Sequence, residues 1–173
     1  MRHEKTRFVP EREKKRVVFR TFREYPLFDV ADLKDDFVEQ IRKAQRSTGF
    51  HLYGWLILPG EVHLIMSSTA KQSVRTLLEE MKGRFATRML RRFPPELLEQ
   101  LRDKHGVEHF WHVGGGEDET LRTTDQLKAA LESLHAEPVK RGLVAAPADW
   151  KWSSARWHTG VRDPADLRLS SAG

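Results

Sequence analysis

The chain has 173 residues, with no cysteine, no asparagine and only two tyrosines. Without cysteine there is no disulfide framework, no iron–sulfur cluster, no thiolate zinc site and no thiol nucleophile. That absence fits a reducing, cytoplasmic setting. Long apolar runs are missing too. The longest, such as Trp55 to Pro59, are far too short to span a bilayer. The first residues are charged and lack the apolar core of a secretory signal. No fixed period recurs, which excludes collagen-like, coiled-coil and repeat architectures. Tyrosine and isoleucine are scarce and arginine outnumbers lysine, as GC-rich coding would leave them.

What is present suffices for one folded domain. Hydrophobic residues make up 39% of the chain, and that length buries a core without staples. The formal net charge is +5 and the sequence pI is near 9.6. The charge is unevenly placed. Residues 1–23 hold nine basic and three acidic residues, a net of +6, so the remainder sums to −1. A second basic cluster, Lys82, Arg84, Arg88, Arg91 and Arg92, contains no acid. Clustered cations are the electrostatic footprint of a phosphate-binding protein. A solvated surface with a disordered basic tail is the competing account.

Hydrophobic periodicity divides the chain into a basic tail over 1–15, a folded domain over 16–160 and a frayed tail over 161–173. Residues 16–22 alternate like a strand. Leu33, Phe37, Ile41 and Ala44 recur at helical spacing over 31–47, and Gly49 stops that helix. Residues 50–58 and 61–67 read as a hairpin turned at Pro59-Gly60. A second helix covers 73–92, with apolar Val74, Leu77, Leu78, Met81, Phe85 and Met89 on one stripe. A short helix over 96–104, a short strand or extended segment over 109–113, a glycine hinge at 114–116 and a helix over 125–135 ended by Pro138 complete the order. This predicts an α+β fold: a ferredoxin-like (split βαβ) antiparallel sheet with helices on one face and a Trp-rich C-terminal extension.

Glu61 and His63 are two apart on a strand, so they share a face. A carboxylate beside an imidazole can hold Mg²⁺ or Mn²⁺ given a third ligand. On spacing alone, two polar residues on a solvated face are the commoner case. Glu117, after the glycines, is a candidate third ligand, with Asp118 and His112 behind it. A flexible acidic loop is the alternative reading of that segment. No serine or threonine sits in a nucleophile-elbow pattern. By parity Tyr53 shares its face with His51 and Trp55, Tyr25 lies in a turn, and neither lies where a mobile helix could present it to His63.

Five segments together resemble the IS200-like transposase family, in its REP-associated tyrosine transposase branch. They are Val17–Thr21 with Pro26-Leu27-Phe28; Tyr53 to Leu64; Met81 to Ala86; Phe110-Trp111 with Gly114 to Arg122; and Leu134 to Val144 leading to Asp149–Trp157. The resemblance implies a cytoplasmic protein that cuts and rejoins single-stranded DNA next to hairpins. It implies a divalent metal on a His-hydrophobic-His motif and a tyrosine, on a nearby helix, that attacks the scissile phosphate. Relatives occur as monomers and as homodimers.

Against that pattern, Pro-Asn-His-Val-His becomes Pro59-Gly60-Glu61-Val62-His63. The metal pair is then Glu61 and His63. The Tyr-Asp after the glycines becomes Glu117-Asp118, and the Asn of Asn-Pro-Val becomes Glu137. Glu61 is still a ligand type for a hard cation. Glu117 is no substitute nucleophile, because carboxylate attack on a phosphodiester gives a labile acyl phosphate. The leading expectation is a DNA-binding family member with a degenerate active site and a weakened or lost Mg²⁺ or Mn²⁺ site. DNA would meet Arg16, Arg20 and Arg23 on the first strand and the 82–92 cluster (Lys82, Arg84, Arg88, Arg91, Arg92), with Lys140 and Arg141 beyond. Bases would stack on Phe110 or Trp111. The alternatives are a nuclease that activates water at Glu61, His63 and Glu117, and a non-catalytic interaction module.

Overall fold

The computed structural model describes residues 12–163 and 166–172. The β-branched run near the start forms β1 (Lys14–Arg20). Two longer apolar runs form β2 (Leu52–Leu58) and β3 (Glu61–Ser67), joined by the Pro59-Gly60 turn. With β4 (Glu117–Leu121) they make one sheet in the order β2-β3-β1-β4. Every neighbouring pair is antiparallel.

Every residue of β2 and β3 is buried, so both sheet faces are covered. On one face, Trp55, Ile57, Val62, Leu64 and Met66 join a core completed by α1 (Leu33–Thr48) and α2 (Val74–Leu90). On the other, Leu56, Leu58 and Ile65 meet Leu127, Leu131 and Leu134 of α4 (Thr124–Lys140). Helices therefore lie on both faces, one more than the predicted single layer. Cα alternation along the strands sends successive side chains to the two cores. One exception corrects the parity reading: the β2–β3 register shifts between Leu52 and Gly54. Tyr53 thus packs on the α4 side while Trp55 packs on the other.

Caps set the helix starts. Ser73 accepts from the Thr76 amide at α2, and Thr123 with Gln126 forms a capping box at α4. The helix α4 passes through Pro138, the predicted stop, to Lys140. A proline in the last turn forfeits one hydrogen bond, and the end is closed by the Arg141 and Leu143 amides on Glu137 and Pro138 carbonyls at 3.0 and 2.9 Å. The predicted short helix after Pro94 is α3 (Pro95–Gln100).

The fourth strand is not the predicted 109–113 segment, which meets the end of β1 through an isolated Thr21–Trp111 bridge and a bond from the His112 amide to the Arg20 carbonyl at 2.9 Å. It is the acidic stretch that read as a loop. Gly116 makes this entry fit: a Cβ there would lie 2.0 Å from the Val18 carbonyl oxygen. The segment after 160 also departs from a frayed tail. Leu167 is buried, the Ser170 amide bonds the Leu52 carbonyl at 2.8 Å, and Gln45 bonds the Arg168 carbonyl at 2.8 Å. Between them, α5 (Ala155–His158) and the Trp-rich segment cover the β2 edge, where Trp150 Nε1 bonds the Ile57 carbonyl at 2.9 Å. The expected tail over 1–15 falls largely outside the described residues.

Candidate functional site

Glu61 and His63 project side by side toward the α4 side of the sheet, as their two-residue spacing predicted. They line a cavity of about 390 Å³ with Arg20 from β1 and Glu117 from β4. Register explains the meeting: Arg20 pairs with Glu61 across β1–β3, and Val18 pairs with both His63 and Glu117. The far wall is α4. Ser133, Glu137 and Arg141 are spaced by four, which puts them on one helical face, and Glu137 and Arg141 line the cavity.

The centre of this arrangement is the carboxylate of Glu61. His63 Nε2 lies 2.9 Å from its Oε1. A carboxylate only accepts, so Nε2 carries the proton. Arg141 also bonds Oε1, and Arg20 Nε lies 3.2 Å from Oε2. Burial alone would push this carboxyl up. The His63 hydrogen bond and charge, with the charges of Arg141 and Arg20, overcome it and hold the group at about 2. Arg20 in turn reaches Glu117 Oε1 at 3.1 Å, and Arg141 reaches Glu137 Oε2 at 3.2 Å. His63 Nδ1 is buried and has no hydrogen-bond partner.

The basic residues do not form one surface. Arg16 bonds Ser133 Oγ at 3.0 Å. Arg20 and Arg141 are spent on Glu61, while Lys140 is exposed at the end of α4. Arg23 bonds the Gln100 carbonyl and sits over the Phe22 ring. Arg92 pairs with Asp36 at 2.8 Å. Arg84, Arg88 and Arg91 line a shallow outer groove on α2 with Gly83 and Thr87. Lys82 turns to the other flank of that helix, over the rings of Phe19 and Trp111. Phe110 and Trp111, expected to stack on bases, are core residues at 1% and 7% exposure. They pack among Phe28, Phe37 and Phe85.

The sequence profile of the family described as "Transposase IS200 like" matches residues 12–119. The chain belongs to the IS200-like transposase family. Among solved structures, the IS200-like chain is similar to a REP-associated tyrosine transposase solved bound to a REP hairpin. Identity is 17%, the TM-score is 0.64, and the match covers 99% of this chain and 100% of that one. It is also similar, at 20% identity and a TM-score of 0.48, to a Deinococcus radiodurans R1 protein with a provisional transposase description. That match covers 75% of this chain and 93% of the other. No curated protein matches the chain at a significant level.

The divalent metal that the family resemblance implies does not fit the donors of this IS200-like chain as they stand. Both Glu61 oxygens are engaged by cations, and Glu117 is held by Arg20. His63 Nδ1 is a lone orphan donor. Among the described residues, no group of three or more His, Asp or Glu is arranged to hold a metal ion. Glu117 sits on a strand, whereas the helix over the cavity presents Ser133, Glu137 and Arg141. Tyr53 is buried in β2, and Tyr25 packs against the opposite core. Two roles were missed from sequence: Arg20 and Arg141 as partners of Glu61, and Ser133 as the residue facing Arg16. Strand register would have flagged Arg20. Nothing local announces Arg141.

Proposed function

We propose that this IS200-like chain binds hairpin or single-stranded DNA and does not cleave it through a protein tyrosine. The carrying observation is the cavity beside His63, where a carboxylate is clamped between two arginines and no tyrosine lines the wall. A covalent tyrosine step has no attacking atom there.

The gripping surface in this reading is the outer flank of α2. Arg84, Arg88 and Arg91 lie one turn apart, and Lys43 of α1 borders the adjoining groove beside Arg84 and Arg88. Arg84 and Arg91 make no ion pair among the described residues. Free guanidinium groups on one stripe suit successive phosphates. The hairpin carried by the solved neighbour of the same fold supports this choice of ligand.

The test is fluorescence anisotropy with a labelled hairpin bearing an unpaired flank, followed by denaturing electrophoresis after incubation with Mg²⁺ or Mn²⁺. Neutralising about three phosphates should weaken binding at least about tenfold between 50 and 200 mM salt. The DNA should stay intact and unattached. Salt-independent binding, a denaturation-resistant protein–DNA adduct, or free cleaved ends that mark a hydrolytic nuclease would each overturn the reading.

A further inference from the structure

Three carboxylates line the cavity beside His63 from three different elements: Glu61 from β3, Glu117 from β4 and Glu137 from α4. Carboxylates gathered in one place repel unless a cation stands among them. Two guanidinium groups fill that need. Arg20 lies directly across the β1–β3 pair from Glu61. Its Nε is 3.2 Å from Glu61 Oε2, and its Nη1 is 3.1 Å from Glu117 Oε1. The same Nε lies 3.3 Å from the exposed Glu24, so one cation serves three carboxylates. Arg141 comes in from the end of α4. Its Nε is 3.2 Å from Glu137 Oε2, one helical turn back, and its Nη2 bonds Glu61 Oε1.

Two guanidinium groups carry the same total charge as one divalent ion, and they meet the same carboxylate. Glu61 Oε1 accepts from both His63 Nε2 and Arg141, so both of its lone pairs are taken. The Glu61 and His63 side chains are 7% and 5% exposed, whereas those of Arg20 and Arg141 are 31% and 42% exposed. The acceptors thus form the inner layer of the cluster and the cations the outer one. An incoming ion would have to shed water and also expel a cation that the chain itself carries. The exchange has a chemical consequence. A guanidinium stays protonated throughout the physiological range, so it supplies charge without offering a coordinated water to ionise.

We infer that Arg20 and Arg141 are the resident cation of this cavity: they occupy the charge position beside Glu61 and His63 that a divalent ion would need, and they close it to Mg²⁺ and Mn²⁺. The donors beneath them are of the right type for such an ion, a carboxylate and an imidazole two residues apart on one strand. What shuts the site is therefore the pair of arginines, and removing their charge should open it. The inference stands apart from the DNA-binding reading, whose cations Arg84, Arg88 and Arg91 lie on α2.

Mn²⁺ titration followed by electron paramagnetic resonance, in which the free ion gives the signal, tests this without DNA. The unaltered chain should show no His63-dependent Mn²⁺ binding tighter than a Kd of about 1 mM. Arg20→Gln with Arg141→Gln should bind Mn²⁺ at least about tenfold more tightly, and adding His63→Gln should abolish the gain. The double variant leaves a buried carboxylate without its cations, which costs stability. Should it fail to fold, Arg141→Gln and Arg141→Lys decide the matter, since the first loses the charge and the second keeps it. Arg141→Gln should then bind Mn²⁺ about threefold more tightly than Arg141→Lys. The inference is overturned by His63-dependent binding to the unaltered chain below that Kd, by no gain in a folded double variant, or by a gain that survives His63→Gln. With the single variants, equal Mn²⁺ affinity of Arg141→Gln and Arg141→Lys would overturn it.

Discussion

Arg141, just past the end of α4, bonds the carboxylate of Glu61 at the start of β3, 80 residues earlier in the chain. Helix and sheet are thereby tied across the cavity floor. The Glu61 side chain is only 7% exposed, so solvent screens this tie little. Its carboxyl is held at about 2, below the ordinary 4.5. A depressed carboxylate stabilises the fold above its unfolded pKa and loses that stability as pH falls toward the folded one. The fold should therefore weaken from about pH 4.5 down to pH 2 through Glu61, by a ceiling of about 3 kcal/mol. In Glu61→Gln this segment of the pH profile should flatten. Urea melts of both proteins at pH 7, 4.5 and 3 check it, and an unchanged profile would refute the clamp.

A second pH effect lies higher. The rings of His135 on α4 and His158 on α5 are 4.9 Å apart. His135 Nε2 meets Ser154 Oγ at 2.8 Å, and His158 Nε2 meets the Tyr53 carbonyl at 3.1 Å. Burial, with the neighbouring His158, lowers His135 from 6.5 to about 4. Loss of hydration lowers His158 as well. A histidine with a depressed folded pKa binds protons more readily when unfolded. Stability should then fall as pH drops from about 6.5 toward 4. His135→Gln, which can keep the Ser154 hydrogen bond, should show a shallower decline in Tm over that window while leaving the Glu61 segment below pH 4.5 in place.

How much of this was legible in the sequence depends on where each contact is encoded. The hairpin over 52–67 and the common face of Glu61 and His63 follow from a turn dipeptide and a period of two, both local. β4 was not legible because Glu117, Asp118 and Glu119 are exposed and have poor strand propensity. They extend because β1 offers Arg20 and Lys15 as charge partners. Tyr53 was misplaced because a register shift is a property of the pair, not of the strand. The clamp on Glu61 needed the β1–β3 register and the docking of α4, neither of which a single segment carries. The 82–92 cluster read as one patch because charge counting ignores the helix axis that turns Lys82 away from Arg84 and Arg88.

The glycine run gives a matched pair of substitutions. A Cβ on Gly116 would collide with the Val18 carbonyl oxygen, a backbone atom in the central strand that cannot swing aside. Gly116→Ala should force β4 off β1 and destabilise the protein by about 1–3 kcal/mol. Gly115→Ala meets nothing within 4 Å and should change stability by less than about 0.5 kcal/mol. Thermal melts of the two variants decide it, and equal losses would show that the β1–β4 pairing does not depend on this approach.

The helix facing the cavity also predicts where a nucleophile would have to stand. Glu117 lies on an edge strand and its carboxylate is exposed at 72%, so a side chain there has freedom that a positioned attacking group cannot have. Ser133 lies on α4, in the stripe with Glu137 and Arg141, and its Oγ is held at 3.0 Å by Arg16. Placing histidine at 61 removes the carboxylate that draws Arg20 and Arg141 inward. Glu61→His with Ser133→Tyr should then yield a denaturation-resistant adduct with a hairpin oligonucleotide in Mn²⁺. The unaltered chain, either single variant, and Glu61→His with Glu117→Tyr should yield none. Labelled DNA shifted in denaturing gels reads the adduct directly. An adduct from the Glu117→Tyr combination alone would assign the attacking position to the strand and not to α4.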